Sequence, residues 1–107
     1  MSAEKIRTLN DAFPTTMTGG RVMLTAGVDA LPSDVKALVI RRVATFSEFT
    51  ADNDPHLEHD FGSFGLAGRT FFFKLDYYDA AMEHGSDDPS DPTQTTRVLT
   101  IMLAEEY

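Results

Sequence analysis

His56-x-x-His59-Asp60 places two imidazoles and a carboxylate at short spacing, a donor set that suits zinc or manganese. On a strand, however, residues three apart point to opposite faces, and no third ligand is assured. No metal and no cofactor are therefore expected. A second constellation is Glu58, His59, Asp60, Lys74, Asp76 and Tyr78. Carboxylates close to a lysine shift one another's pKa and can do acid–base work. The plainer reading is a solvated strand face whose cross-strand ion pair contributes at most ~1 kcal/mol. Nucleophilic catalysis finds no motif: there is no Cys, and no Ser in a Gly-x-Ser-x-Gly turn. Gly62, Gly65 and Gly68 recur inside a hairpin, not between strand and helix, so a phosphate-cradling loop is excluded. Asp87-Asp88-Pro89-Ser90-Asp91 lacks the Gly and closing Glu of a calcium loop.

These residues need elements to position them. Ile6, Leu9 and Phe13 predict a short first helix, which Pro14 should end. Residues 21–28 alternate, with Val22, Leu24, Ala26 and Val28 on one side, and predict a half-buried strand. Residues 31–46 predict a long helix with Pro32 in its first turn and an apolar stripe of Val35, Leu38, Val39, Val43 and Phe46. Arg42 falls inside that stripe. It must either snorkel to water or meet a buried carboxylate, with Asp54, Glu58 and Asp60 in the segment that follows.

Residues 59–78 predict a hairpin whose second strand carries Phe71, Phe73, Leu75 and Tyr77 on one face. A three-residue loop, 66–68, sets Phe61 opposite Phe73 and Asp60 opposite Lys74, and His59 then falls on the aromatic face as a core histidine bonded to a carbonyl or an Asp. A two-residue loop would set Phe61 opposite Lys74; cross-strand complementarity favours the longer loop. The tail is ambiguous. Its β-branched residues predict a strand over 97–103, the preferred reading, whereas "MLAEEY" favours helix. The expected fold is α+β: a small antiparallel sheet of strand 21–28, hairpin 59–78 and strand 97–103, covered by a short and a long helix.

The 107 residues, 42% hydrophobic and 24% charged, predict one domain spanning 1–107 with a real core. The absence of Cys rules out disulfide frameworks and thiol chemistry. No apolar run approaches a membrane span, and the amino terminus resembles no signal peptide, so a cytoplasmic location is expected. The net charge of −8 argues against direct binding to nucleic acid, which needs clustered Lys and Arg. Charge is also uneven. Residues 1–46 carry six basic and four acidic side chains; residues 47–107 carry three basic and thirteen acidic ones.

Four stretches, "GGRVMLTAGV", "NDPHLEHDFGSF", "FFFKLDYYD" and "GSDDPSDPTQTTRVLTIMLAEEY", resemble the DUF3768 proteins, a bacterial family without established activity. The resemblance runs from about residue 6 to 107. It rests on Asn53-Asp54-Pro55, Glu58-His59-Asp60-Phe61-Gly62, Lys74, Asp76-Tyr77-Tyr78 and Arg97-Val98-Leu99-Thr100; His56 departs from the aromatic residue usual there. It implies a setting among plasmid and mobile-element genes.

Function is then expected from charge. The expected protein is a non-enzymatic acidic module docking on a basic patch of a partner protein, with no direct nucleic-acid or membrane partner. Its expected contact residues are Asp52, Asp54, Asp76, Asp79, Glu83, Asp87, Asp88 and Asp91. The mobile-element setting points to an inhibitor of a nucleic-acid-handling host defence protein, of the anti-restriction or anti-CRISPR type that mimics DNA charge. The alternative is a small enzyme or ligand-binding domain using the Glu58/Asp60/Lys74/Asp76/Tyr78 face.

Overall fold

Ile6, Asn10 and Phe13 recur at the spacing that lines side chains along one helix face. The computed structural model describes residues 3–16, 20–47, 49 and 58–107, and there the first helix, α1, spans Ala3–Thr16 with these three side chains buried. Asn10, not Leu9, completes the stripe. Pro14 lies within the helix instead of ending it. Only the hydrogen bond to the Asn10 carbonyl is forgone, and in a last turn that loss does not break the helix.

Four strands, β1 (Gly20–Leu24), β2 (Phe61–Leu66), β3 (Arg69–Asp79) and β4 (Thr95–Leu103), form one sheet in the order β1-β4-β3-β2. The α+β class holds, but the sheet is mixed rather than antiparallel: β1 runs parallel to β4, while β4, β3 and β2 alternate. The tail is the strand its β-branched residues predict, closed by a short 3-10 turn over Ala104–Glu106. β4 is nearly continuously buried, as befits a strand with a neighbour on each side.

The expected strand 21–28 stops at Leu24. Ala26–Asp29 instead forms a helical turn, α2, which buries Val28 completely. Its cause lies at the other end of the chain. One oxygen of the Glu106 carboxylate accepts the Thr25 hydroxyl at 2.6 Å and the Leu103 N–H at 3.0 Å, and the other accepts the Gly27 N–H at 2.9 Å. An anion at these amino-terminal amides satisfies donors that a short helix leaves open.

The hairpin register also differs from expectation. The loop has two residues, Ala67 and Gly68, both at positive φ (53° and 76°), the backbone that tight hairpins prefer. Phe61 consequently pairs with Lys74, and Gly62 with Phe73. A Cβ at position 62 would stand 2.2 Å from Phe73 Cε2 and 2.9 Å from Phe46 Cε2. The missing side chain is what lets two phenylalanine rings meet there. Phe61, on the opposite face, finds its aromatic partners in Phe72 and Tyr107, with centroids 5.3 and 6.2 Å away. The β3 face is as predicted: Phe71, Phe73 and Leu75 pack on Phe13 and on Val39 and Val43 of the long helix α3, Ser33–Ala44.

Within α3 the apolar stripe is rotated, leaving Leu38 half exposed. Among the described residues Arg42 makes no buried carboxylate pair. It is exposed, lies 5.1 Å from the Phe64 ring centroid and donates to the Gly65 carbonyl at 3.1 Å. At the rim of the helix, the sheet edge offers the guanidinium a ring face and a carbonyl. The buried arginine is elsewhere. No helix among the described residues is long and apolar enough to cross a membrane.

Candidate functional site

Beyond Leu75 the helix-covered face of β3 turns polar. Tyr77 stands there, with Arg97 directly opposite on β4. Arg97 is 3% exposed and Asn10, above it on α1, is 1% exposed. A buried guanidinium requires acceptors. Its Nε donates to Asn10 Oδ1 at 2.8 Å, an Nη donates to the Pro89 carbonyl, and its Cζ lies over the Tyr77 ring, 5.3 Å from the centroid. The Asn10 amide donates to the Glu58 carbonyl and to the Tyr77 hydroxyl, each at 2.8 Å, and that hydroxyl donates to a Glu58 carboxylate oxygen at 3.0 Å. Among the described residues no buried side-chain polar atom is left unsatisfied.

Burial above all raises the Tyr77 pKa, and the negative charges of Asp60 and Glu58 add to it against the opposing hydrogen bond from Asn10. Tyr77 therefore stays protonated at neutral pH, a donor to Glu58 rather than a base. Burial lowers the Arg97 pKa, against the favourable fields of Tyr77 and Glu58. The network is a lock between helix, sheet and the loop after β3.

Beside it lies a cleft of about 210 Å3 lined by Asp11, Pro14, Phe46, Ser47, Phe49 and His59, among others. His59 is held three ways. Its Nδ1 is 2.7 Å from Asp11 Oδ1, its ring stacks on Phe49 with centroids 3.9 Å apart, and its backbone has a φ of 56°. Bonding to an Asp is one of the expected states, but the histidine is half-buried at a cleft and not inside the core.

The Glu58/His59/Asp60/Lys74/Asp76/Tyr78 constellation is divided by the sheet. Glu58 and His59 face α1. Lys74 pairs with Asp76 at 3.2 Å on the uncovered face, where both, with Tyr78, Arg21 and Thr100, line a shallow hollow of about 500 Å3. The Asp60 carbonyl accepts the Leu75 N–H at 2.9 Å. Among the described residues no group of three or more His, Asp or Glu side chains is placed to hold a metal.

The expected acidic contacts Asp52 and Asp54 lie outside the described residues, as does His56. Several of the others build turns. Asp79 accepts the Glu83 N–H at 3.0 Å, Asp88 accepts the Ser90 N–H at 3.1 Å, and Asp91 accepts the Thr93 N–H and hydroxyl at 2.9 and 2.7 Å. The Glu83 amide holds the Asp79 carboxyl below its ordinary pKa, and the Thr93 hydroxyl followed by its amide does so for Asp91. Glu83 and Asp87 are exposed. The loop is tied down by Arg97 at Pro89, by Thr95, whose hydroxyl donates to the Asp88 carbonyl at 2.8 Å, and by the Ser86 N–H on the Tyr77 carbonyl at 3.0 Å.

A family model described as "Protein of unknown function (DUF3768)" matches residues 24–106. The chain belongs to the DUF3768 family. Neither a curated protein nor a solved structure matches it. Glu58, His59, Tyr77 and Arg97 lie within the DUF3768 match, whereas Asn10 and Asp11 come from α1 ahead of it. Reading the sequence alone misses Asn10, Asp11, Tyr77, Arg97 and Glu106. One signal was present: Glu58, Tyr77 and Arg97 all stand in the stretches that carry the resemblance, and the fold brings these separate stretches to one place.

Proposed function

We propose that this DUF3768 protein is a non-enzymatic acidic module that docks its 79–94 loop on a basic surface of a partner protein. The observation that carries this reading is the immobilised loop. Asp79, Asp88 and Asp91 are spent on turn amides, the loop base is fastened to the buried Arg97, and Glu83 and Asp87 are presented on that scaffold. A preorganised anionic surface loses little conformational freedom on binding, and its field speeds encounter with a cationic one. The mobile-element setting implied by the family favours a host defence protein whose basic surface normally takes nucleic acid. Fixed carboxylates then stand in for phosphates, and inhibition follows by occupancy.

The test is capture from a bacterial host lysate on the immobilised protein, with wild type beside a Glu83→Gln/Asp87→Asn variant. These two positions hold no turn, so the variant keeps the fold. Capture of a basic protein that the variant loses, and that is released near 1 M salt where screening acts within about 3 Å, supports the reading. Capture indifferent to both salt and variant overturns it.

A further inference from the structure

We propose that the cleft beside His59 is a binding site for a small planar molecule, one aromatic ring carrying a neutral hydrogen-bonding group, of the phenol class. Its inner wall is aromatic. Phe46 meets Phe49 and Phe73 edge to face, with centroids 4.9 and 5.1 Å apart and planes at 75° and 76°; Phe49 and Phe73 are 6.5 Å apart at 86°. Ring quadrupoles favour this herringbone, and a further flat ring entering the cleft extends it. The volume suits one ring: an apolar cavity of roughly 150 Å3 is known to admit benzene, and this one holds about 210 Å3.

The rim is polar. Asp11, Ser47 and His59 line it, and the Asp11 contact together with the stack on Phe49 fixes the imidazole plane before any ligand arrives. The positive φ at His59 is a second sign. A non-glycine residue held there stores backbone strain, and such strain gathers at ligand sites. The Asp11 carboxylate, on a chain of net charge −8, selects a neutral head over an anionic one. This site is independent of the acidic loop, and either can fail alone.

The experiment is titration of the isotopically labelled protein, followed by amide chemical shifts, with phenol, benzoate and cyclohexanol as probes. Phenol should shift Asp11, Ser47 and His59, and the flat neutral ring should bind at least about tenfold more tightly than cyclohexanol or benzoate. Ser47→Phe, which fills the cleft from an exposed position, should abolish the phenol shifts while the thermal midpoint is retained. Should that variant not fold, His59→Asn serves in its place, because Asn tolerates positive φ while the imidazole wall is lost. Equal binding of phenol and cyclohexanol overturns the proposal. So does the absence of shifts at millimolar phenol, or undiminished binding by the folded variant.

Discussion

Arg97 and Asn10, 87 positions apart in the chain, meet through a 2.8 Å hydrogen bond inside the protein. That bond joins α1 to β4, and through the Pro89 carbonyl it also joins both to the acidic loop. Arg97→Ala leaves the buried Asn10 oxygen unpaired, at about 1–3 kcal/mol, and removes the partner of the half-buried Pro89 carbonyl as well. Arg42→Ala, at an exposed site, should cost no more than about 1 kcal/mol. Denaturant titration of the two variants measures the difference, and equal midpoints would contradict a buried lock.

Gly62→Ala should destabilise by about 1–3 kcal/mol, because a methyl there overlaps the Phe73 ring from a backbone that cannot retreat. Gly65→Ala meets only the Arg69 carbonyl, at 3.8 Å, and should be far milder. Thermal midpoints of the pair test the two-residue register directly.

Ala67 occupies a left-handed turn position next to Gly68. Ala67→Asn, which supplies the Asn-Gly pair such turns prefer, should therefore stabilise by about 1 kcal/mol. A lower midpoint for this variant would mean that the chain turns elsewhere.

How far the sequence reaches follows from these same residues. The faces of β3 and the strand at the tail obey local periodicity and are legible; α3 is legible as a helix, but it spans Ser33–Ala44 rather than 31–46, with Pro32 just ahead of its first turn. Arg97 was not, since nothing near it in the chain announces a buried guanidinium; its acceptors come from α1 and from the loop. The hairpin register departs from cross-strand complementarity because an absent side chain decides it, Gly62 making room for Phe73. The strand expected over 21–28 stops at Leu24 for a similar reason. Its alternation continues through Val28, but Glu106, from the far end of the chain, turns residues 26–29 into a helix.

Asp79, Asp91 and Glu106 all titrate below their ordinary carboxylate range: Asp79 chiefly through the Glu83 amide, Asp91 through Thr93, and Glu106 through Thr25. Groups depressed by folding stabilise above their unfolded pKa and lose that contribution as pH falls through the folded value. Stability should thus decline below about pH 4, and Asp91→Asn or Glu106→Gln should flatten the decline. At the alkaline end Tyr77, raised by burial, acts in the opposite sense. Its contribution is complete below the unfolded value of 10.0 and is lost as pH rises beyond it, a loss that Tyr77→Phe should remove. Unfolding free energy against pH for the three variants checks both limbs.

Docking of a preorganised acidic loop is tested most directly by the association rate of the captured partner, followed against ionic strength. For the wild type the rate should be high at low salt and fall steeply as salt rises. For Glu83→Gln/Asp87→Asn it should start lower and fall less, with dissociation nearly unchanged. Equal association rates for the two proteins across the salt series would contradict the acidic loop as the docking surface.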